Sequence, residues 1–289
     1  MMMNIFNNRE IAIGIWLIIF LISGLIFLLK KKSSRKNIID LIKSAFHIKI
    51  VSLFLASIAY NVCILVFLYL VKFWNILLLK DAIIWVFFTA ILLIINSVTS
   101  SENEKLFKKI LLDNIKLAII FEFIVNFYSF PLLAELFLIP IASFIILIEL
   151  VASKDNKNAI LVKYLKIFQA IIGFSILGYS IYMIAEDFKN FATFDTLKEF
   201  LLIPILITLF IPFIYITVLY TTYEQLFVRI NIIFKKNIIL KKYIKKRIVV
   251  YCLLNLNKVK KFSKNINNLL NSSSKNEVDN LFISLKLKK

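Results

Sequence analysis

Four polar side chains interrupt stretches of the sequence that are otherwise apolar, and they are the residues best placed to do chemistry. Asn61 lies near the centre of one apolar stretch, and Glu135 lies one turn inside another. Glu122 and Asn126 lie four residues apart in a third, a spacing that puts both on one face of a helix. A charged group at the centre of a membrane helix costs about 2.5 to 3.5 kcal/mol, so such residues usually face a partner, a cavity or a pore.

Two interpretations of this polar set are open from the sequence. In the first, Asn61, Glu122, Asn126 and Glu135 form a polar path for cations or protons. In the second, they make hydrogen bonds between helices, and Glu122 is protonated in the low dielectric. Farther along, Glu149 is expected within reach of Lys116.

The sequence contains none of the motifs that we would expect of an enzyme. There is no His-Glu-x-x-His, no Gly-x-Ser-x-Gly and no glycine-rich phosphate loop. The single histidine is His47, and the two cysteines, Cys63 and Cys252, belong to no metal-ligand pattern. We therefore predict a protein that is not an enzyme, with no catalytic residue, metal or cofactor.

A second concentration of charge lies in the C-terminal tail. Residues 221–289 carry 16 basic and three acidic side chains, a net charge of +13. Three interpretations compete: a basic amphipathic helix on anionic lipid, a self-associating helical bundle, and a site for a nucleic acid or nucleotide signal. The predicted contacts with anionic lipid or a partner are Lys241, Lys242, Lys245, Lys246 and Arg247.

The elements that position these residues must be membrane helices. Of the 289 residues, 61% are hydrophobic, more than a water-soluble fold buries, so the lipid bilayer is the first predicted partner. About 20 apolar residues cross the roughly 30 Å hydrocarbon core, and Pro131 divides an apolar stretch that is too long for one crossing. The prediction is an all-α membrane protein with seven spans, at about 11–29, 50–71, 82–98, 113–130, 132–152, 167–184 and 200–220.

The distribution of Lys and Arg orients these spans. With the N-terminus outside, the cytoplasmic segments hold 31 basic residues and the outside segments hold 5. Because cytoplasmic flanks carry the Lys/Arg excess, we predict an outside N-terminus in the inner membrane. The domains are then a transmembrane region, 1–220, and a basic cytoplasmic tail, 221–289.

Two connecting segments also have helical patterns. Residues 37–49 place apolar side chains at helical spacing and predict an amphipathic helix in the headgroup layer. Residues 185–199 form the one sizeable outside connection, and Phe188, Phe191 and Phe194 predict a short helix against the membrane surface.

One part of the chain resembles a known group of proteins. The stretches 190–197, 200–215 and 223–229, which include Phe200-Leu-Leu-Ile-Pro204 and Tyr223-Glu-Gln-Leu-Phe-Val-Arg229, are similar to uncharacterised bacterial multi-pass membrane proteins. Some of that group are thought to be membrane effectors of anti-phage defence modules. The resemblance implies a gated pore and carries over no functional residue.

Together these features predict a gated channel or membrane effector that forms a homo-oligomer. Mid-membrane polar groups, a charged tail and the missing catalytic motifs motivate this prediction. The tail would receive a cytoplasmic protein or an anionic signal. The alternative is a membrane scaffold or permease-like subunit that works only within a complex of several components.

Overall fold

A computed structural model describes residues 6–30, 36–37, 39–40, 43–44, 46–99, 123–235, 237–266 and 275–279. All regular structure in these residues is helical. The principal helices are α1 (Asn8–Lys30), α2 (Ile48–Leu70), α3 (Ile76–Thr99), α4 (Leu132–Ala152), α5 (Ala159–Glu186), α6 (Phe194–Ile233), α7 (Ile238–Cys252) and α8 (Leu256–Lys264).

Six of these helices, α1 to α6, are long and apolar enough to cross a membrane. Their most apolar windows have mean hydropathies between 1.8 and 2.9. Large apolar side chains stay exposed along them, such as Phe27, Phe137 and Phe174, and an exposed apolar surface of this extent needs lipid as its solvent. The prediction of an all-helical, membrane-embedded protein is confirmed.

The fourth predicted span, at 113–130, lies mainly outside the described residues. Its described end is helical over 123–127 and then bends. Pro131 follows with an extended backbone, and α4 begins at the next residue. The chain therefore turns at the predicted break, because proline disfavours helix at the residue before it.

Helix α6 is 40 residues long, which corresponds to about 60 Å. It continues through Pro204 and Pro212 and through residue 220, the predicted boundary between the membrane region and the tail. Since a bilayer core is about 30 Å thick, roughly half of α6 must lie outside it. The membrane span and the start of the tail are thus one continuous helix.

The two connecting segments are helical in part. Phe188–Phe191 forms a single helical turn, and α6 already begins at Phe194. In 37–49 the described positions before residue 46 are helical, and the Ser44 hydroxyl donates to the Asp40 carbonyl. Whether either segment lies on the membrane surface stays a prediction.

The chain divides into two compact units. The first unit comprises 1–56, 69–81 and 114–204, and in its described part α4 packs against both α1 and α5. The second unit comprises 57–68, 82–113 and 205–289 and contains the tail helices.

Candidate functional site

The most deeply buried acid among the described residues is Glu135, near the start of α4 in the first unit. Its side chain is 0% exposed and forms an ion pair with Arg9. The Arg9 Nη2 group donates to Glu135 Oε1 at 2.9 Å, and Nε lies 3.1 and 3.2 Å from the two carboxylate oxygens. The Phe130 backbone N–H donates to Oε1 at 3.0 Å. Both carboxylate oxygens are therefore engaged.

Arg9 lies in the first turn of α1, and side-chain hydrogen bonds fix that turn. The Asn7 side chain accepts a hydrogen bond from the Glu10 N–H, and the Glu10 carboxylate accepts one from the Asn7 N–H. This reciprocal pair is a capping box, which fixes the first turn of the helix. Lys80 Nζ donates to both Glu10 oxygens at 3.1 and 3.2 Å, so α1 is also tied to the start of α3.

The same arginine brings together two of the predicted site residues. Arg9 Nη1 donates to the Val125 carbonyl at 2.8 Å and lies 3.3 Å from Asn126 Oδ1. Asn126 and Glu135 therefore meet at Arg9, although Asn126 itself is exposed. Glu122 lies outside the described residues. From the sequence, Arg9 is only one of the five basic residues in the outside segments. Because an acid within a span usually pairs with a basic residue, Glu135 near the same end of its span could have indicated Arg9 as its partner.

The acid at the other end of α4 is also paired. Glu149 accepts a hydrogen bond from Gln169 Nε2 at 2.7 Å and lies 3.8 Å from Lys166 Nζ. Both partners belong to α5. The predicted partner, Lys116, lies outside the described residues. Like Glu135, Glu149 joins two helices of the first unit.

Asn61 on α2 belongs to the second unit, and only one of its two polar side-chain atoms is hydrogen-bonded. Its side chain is buried, with 2% exposure. The amide Nδ2 donates to the Ser57 carbonyl one turn back at 2.9 Å. No described residue provides a partner for its Oδ1 atom. The residue thus presents a hydrogen-bond acceptor inside an apolar interior.

Two hydrogen-bond donors on α3, in the same unit, also lack a described partner. Trp85 Nε1 and Ser97 Oγ are buried and have no hydrogen-bond partner in the part of the chain that the structure describes. Trp85 also opens a π-helical stretch, Trp85–Ala90, within α3. Such widened turns are rare and occur frequently at functional sites. A fourth unpaired atom, Trp74 Nε1, lies in the link before α3 and belongs to the first unit.

An aromatic cluster fixes the helices of the second unit around these groups. The Phe210 ring on α6 is fully buried and meets Trp85 edge to face, with ring centroids 5.3 Å apart. Tyr60, next to Asn61 in sequence, contacts both Phe210 and Phe213. The Tyr60 hydroxyl donates to the Leu209 carbonyl at 3.1 Å. These rings are therefore in close mutual contact.

The tail folds into a helical hairpin with a buried apolar stripe. Asn237 caps α7 and Asn255 caps α8, each accepting a backbone N–H. The stripe recurs every four residues along α7, a spacing that keeps it on one face: Leu240, Ile244, Ile248 and Cys252. The predicted basic cluster lies on the other faces of this helix, where Lys242 and Lys246 are exposed and Lys241 and Lys245 are half-buried.

Two members of the basic cluster make contacts inside the tail. Arg247 forms an ion pair with Asp279, at 2.8 and 2.9 Å, and the Tyr243 hydroxyl donates to the same carboxylate at 2.7 Å. The Tyr243 hydrogen bond and the Arg247 charge lower the pKa of Asp279. Lys245 Nζ lies 5.3 Å above the Phe227 ring of α6. Lipid or partner contact by the cluster stays a prediction.

Within the described ranges, no group of three His, Cys, Asp or Glu side chains is placed to hold a metal ion. Comparison with known proteins adds no family to this geometry. No family model, no curated protein and no solved structure matches the chain.

Proposed function

We propose that this protein is a multi-pass inner-membrane protein that acts as a gated channel or membrane effector, without enzymatic activity. The observation that carries the proposal is the buried Oδ1 atom of Asn61, which has no partner among the described residues. Burying a polar group without a hydrogen bond costs about 1 to 3 kcal/mol in proteins. Water or a permeating cation next to Asn61 would remove that cost.

The two donors on α3 support the same proposal. Trp85 Nε1 and Ser97 Oγ add hydrogen-bonding atoms to the interior of the second unit. Water bridges such groups where it reaches them. Water next to these groups would give small ions a path through a membrane protein that carries no catalytic motif.

The tail is proposed as the gating element. Helix α6 joins the membrane span to the tail without a break, so a movement of the tail would reach the span through one continuous helix. The basic cluster would receive an anionic signal or a cytoplasmic partner. This arrangement requires the tail in the cytoplasm and the N-terminus outside, as the 31 to 5 distribution of basic residues favours. We further propose that several copies assemble around the path.

Conductance across planar bilayers tests the proposal. We expect the purified protein to conduct and Asn61→Leu to lower unitary conductance by about tenfold, the effect of 1.4 kcal/mol at a rate-limiting site. Asn96→Leu is the matched control, because Asn96 is an exposed asparagine on α3. It should conduct normally. Removing residues 234–289 should change the open probability and leave the unitary conductance unaltered.

Silence of the intact and the truncated protein under every ligand tested would overturn the proposal. So would equal conductance of Asn61→Leu and the unaltered chain. The first outcome removes the channel, and the second removes Asn61 from its path and with it the observation on which the proposal rests.

A scaffold or permease-like subunit is the second candidate, and the Arg9–Glu135 pair favours it. The pair links α1 to α4 within the first unit, and a fixed helix pair of this kind would serve to hold another chain. Copurification with a soluble partner in fixed stoichiometry, together with electrical silence, would support this function over a channel.

A further inference from the structure

The turn between α7 and α8 exposes a group of apolar side chains. We call Val249, Val250, Leu253 and Leu254 the apolar turn. Val250 is 58% exposed, Leu253 64% and Leu254 75%. A continuous exposed apolar patch on a protein marks a contact with another molecule or with a membrane.

The apolar turn is fastened to the membrane helix of the same unit. The Tyr223 hydroxyl donates to the Leu253 carbonyl at 2.6 Å, and the Tyr215 hydroxyl donates to the Leu254 carbonyl at 2.6 Å. The Leu256 N–H donates to the Tyr215 oxygen at 3.2 Å. These bonds fix the position of the turn along α6.

That position lies at the membrane boundary. No charged residue occurs in α6 between Phe200 and Tyr223, and Glu224 is the first charge after this run. About 20 residues cross the hydrocarbon core, so a span that begins near Phe200 ends between Tyr215 and Tyr223. Tyrosines are enriched at this depth, where the amphipathic ring lies at the level of the headgroups.

Helix α7 returns along α6 toward this boundary. Lys245 contacts Phe227, and Leu253, just after the end of α7, accepts a hydrogen bond from Tyr223, which is nearer the apolar run. The two helices are therefore antiparallel here. The opposite end of α7, at Ile238 and Ile239, lies about 20 Å away along the helix axis, given 1.5 Å per residue.

The backbone conformation at Leu253 also indicates that an apolar side chain is needed there. Leu253 has φ 47° and ψ −129°, in a region that favours glycine. Glycine would adopt this conformation with less strain. A leucine at the position instead supplies an apolar side chain, which is 64% exposed.

Charge around the turn suits an anionic surface. Residues 238–266 contain eight Lys and one Arg and no Asp or Glu. Lys246 and Lys258, on either side of the turn, are exposed. Each basic residue near an anionic leaflet is attracted to it.

We infer that the apolar turn inserts into the boundary between headgroups and acyl chains of an anionic leaflet, with the neighbouring lysines on the lipid phosphates. The tail is then a membrane-anchored hairpin. This inference does not depend on channel activity, because it requires only that the span of α6 lies in lipid.

Photocrosslinking of the full chain tests the inference. Benzoylphenylalanine replaces Leu254 in one variant and Ile239 in another, and both are reconstituted in vesicles of phosphatidylethanolamine and phosphatidylglycerol. Ile239 is the matched control, since it is 74% exposed at the far end of α7. We expect irradiation to add the mass of one phospholipid at position 254, several-fold more often than at position 239.

Each other product would overturn the inference. A covalent dimer through position 254 would show that a second copy covers the turn. A crosslink into residues 280–289 would show that the end of the chain covers it, and no adduct would place the turn in water. Benzoylphenylalanine in place of Val250 repeats the measurement within the apolar turn and should give the same phospholipid adduct.

Discussion

Glu135 in the first unit and Asn61 in the second are both almost completely buried. The side-chain oxygens of Glu135 are hydrogen-bonded, whereas the side-chain oxygen of Asn61 is not. Arg9 and a backbone N–H engage both oxygens of Glu135. Asn61 uses its Nδ2 donor within its own helix, and no described residue donates a hydrogen bond to its Oδ1 acceptor. The difference separates a polar residue that joins helices from one whose acceptor is left unpaired.

The free-energy cost of burying each group explains why we assign the two residues different roles. A buried carboxylate is tolerated only with a charged partner and further hydrogen bonds, and Glu135 has both. Such a group gains little from water or ions. A neutral amide with an unpaired oxygen carries a smaller cost that a water molecule removes. We therefore assign Glu135 to the architecture and Asn61 to the proposed path.

The largest effect should come from Arg9→Met, which leaves the Glu135 carboxylate buried and unpaired. Removing one partner of a buried ion pair costs about 3 to 5 kcal/mol. We expect that loss in the free energy of unfolding, measured by denaturant titration in detergent micelles.

Two variants accompany this measurement. Arg9→Met combined with Glu135→Leu should recover part of the loss, since no charge then remains buried. Lys198→Met, which removes an exposed pair with Asp195, should cost less than about 1 kcal/mol. An equally small loss for Arg9→Met would mean that Glu135 is not held as described.

Cys252 extends the comparison to a buried group in the tail. Burial raises the pKa of this thiol from 9.0 to about 11, and Lys258 offsets part of the rise. Because the thiolate is the reactive form, maleimide at pH 8 should modify Cys252 about 100-fold more slowly in the folded protein than in denaturant. The rate is followed by mass spectrometry in a Cys63→Ser background. Equal folded and denatured rates would show that the α7 stripe is open to water.

The capping box at the start of α1 can be weakened without touching the ion pair. Asn7→Ala removes the cap acceptor, together with the Asn7 Nδ2 bond to the Asn126 carbonyl, and should lower the free energy of unfolding by about 1 to 2 kcal/mol. Asn96→Ala, at an exposed position within α3, is the control and should not destabilise the protein. If both variants behave alike, the cap does not help to position Arg9.

The smallest effect on stability is expected for Asn61→Leu. This change removes the unpaired oxygen and its desolvation cost, so stability should stay within about 1 kcal/mol of the unaltered protein or rise. Denaturant titration under the conditions used for Arg9→Met gives the value. A loss as large as that of Arg9→Met would show that the Asn61 oxygen has a partner, and Asn61 would then join Glu135 as a structural residue.

Part of this fold could be read from the sequence because a bilayer imposes simple rules. A span needs a fixed length of uncharged residues, and proline breaks a helix at a definite place, so α4 begins directly after Pro131 as predicted. The end of α6 could not be read in this way. After Tyr223 the helix leaves its uncharged run and continues to Ile233, where length and hydropathy no longer constrain it.

The candidate site could likewise be predicted only in part from the sequence. The sequence by itself determined that the chain is helical and membrane-embedded and that Asn61 and Glu135 lie within apolar runs, because composition and periodicity are local properties. Only the tertiary structure decided that Glu135 meets Arg9, 126 residues away, while the Asn61 oxygen accepts no hydrogen bond from a described residue. Contacts between distant segments depend on which helix faces pack together, and hydropathy does not encode that choice.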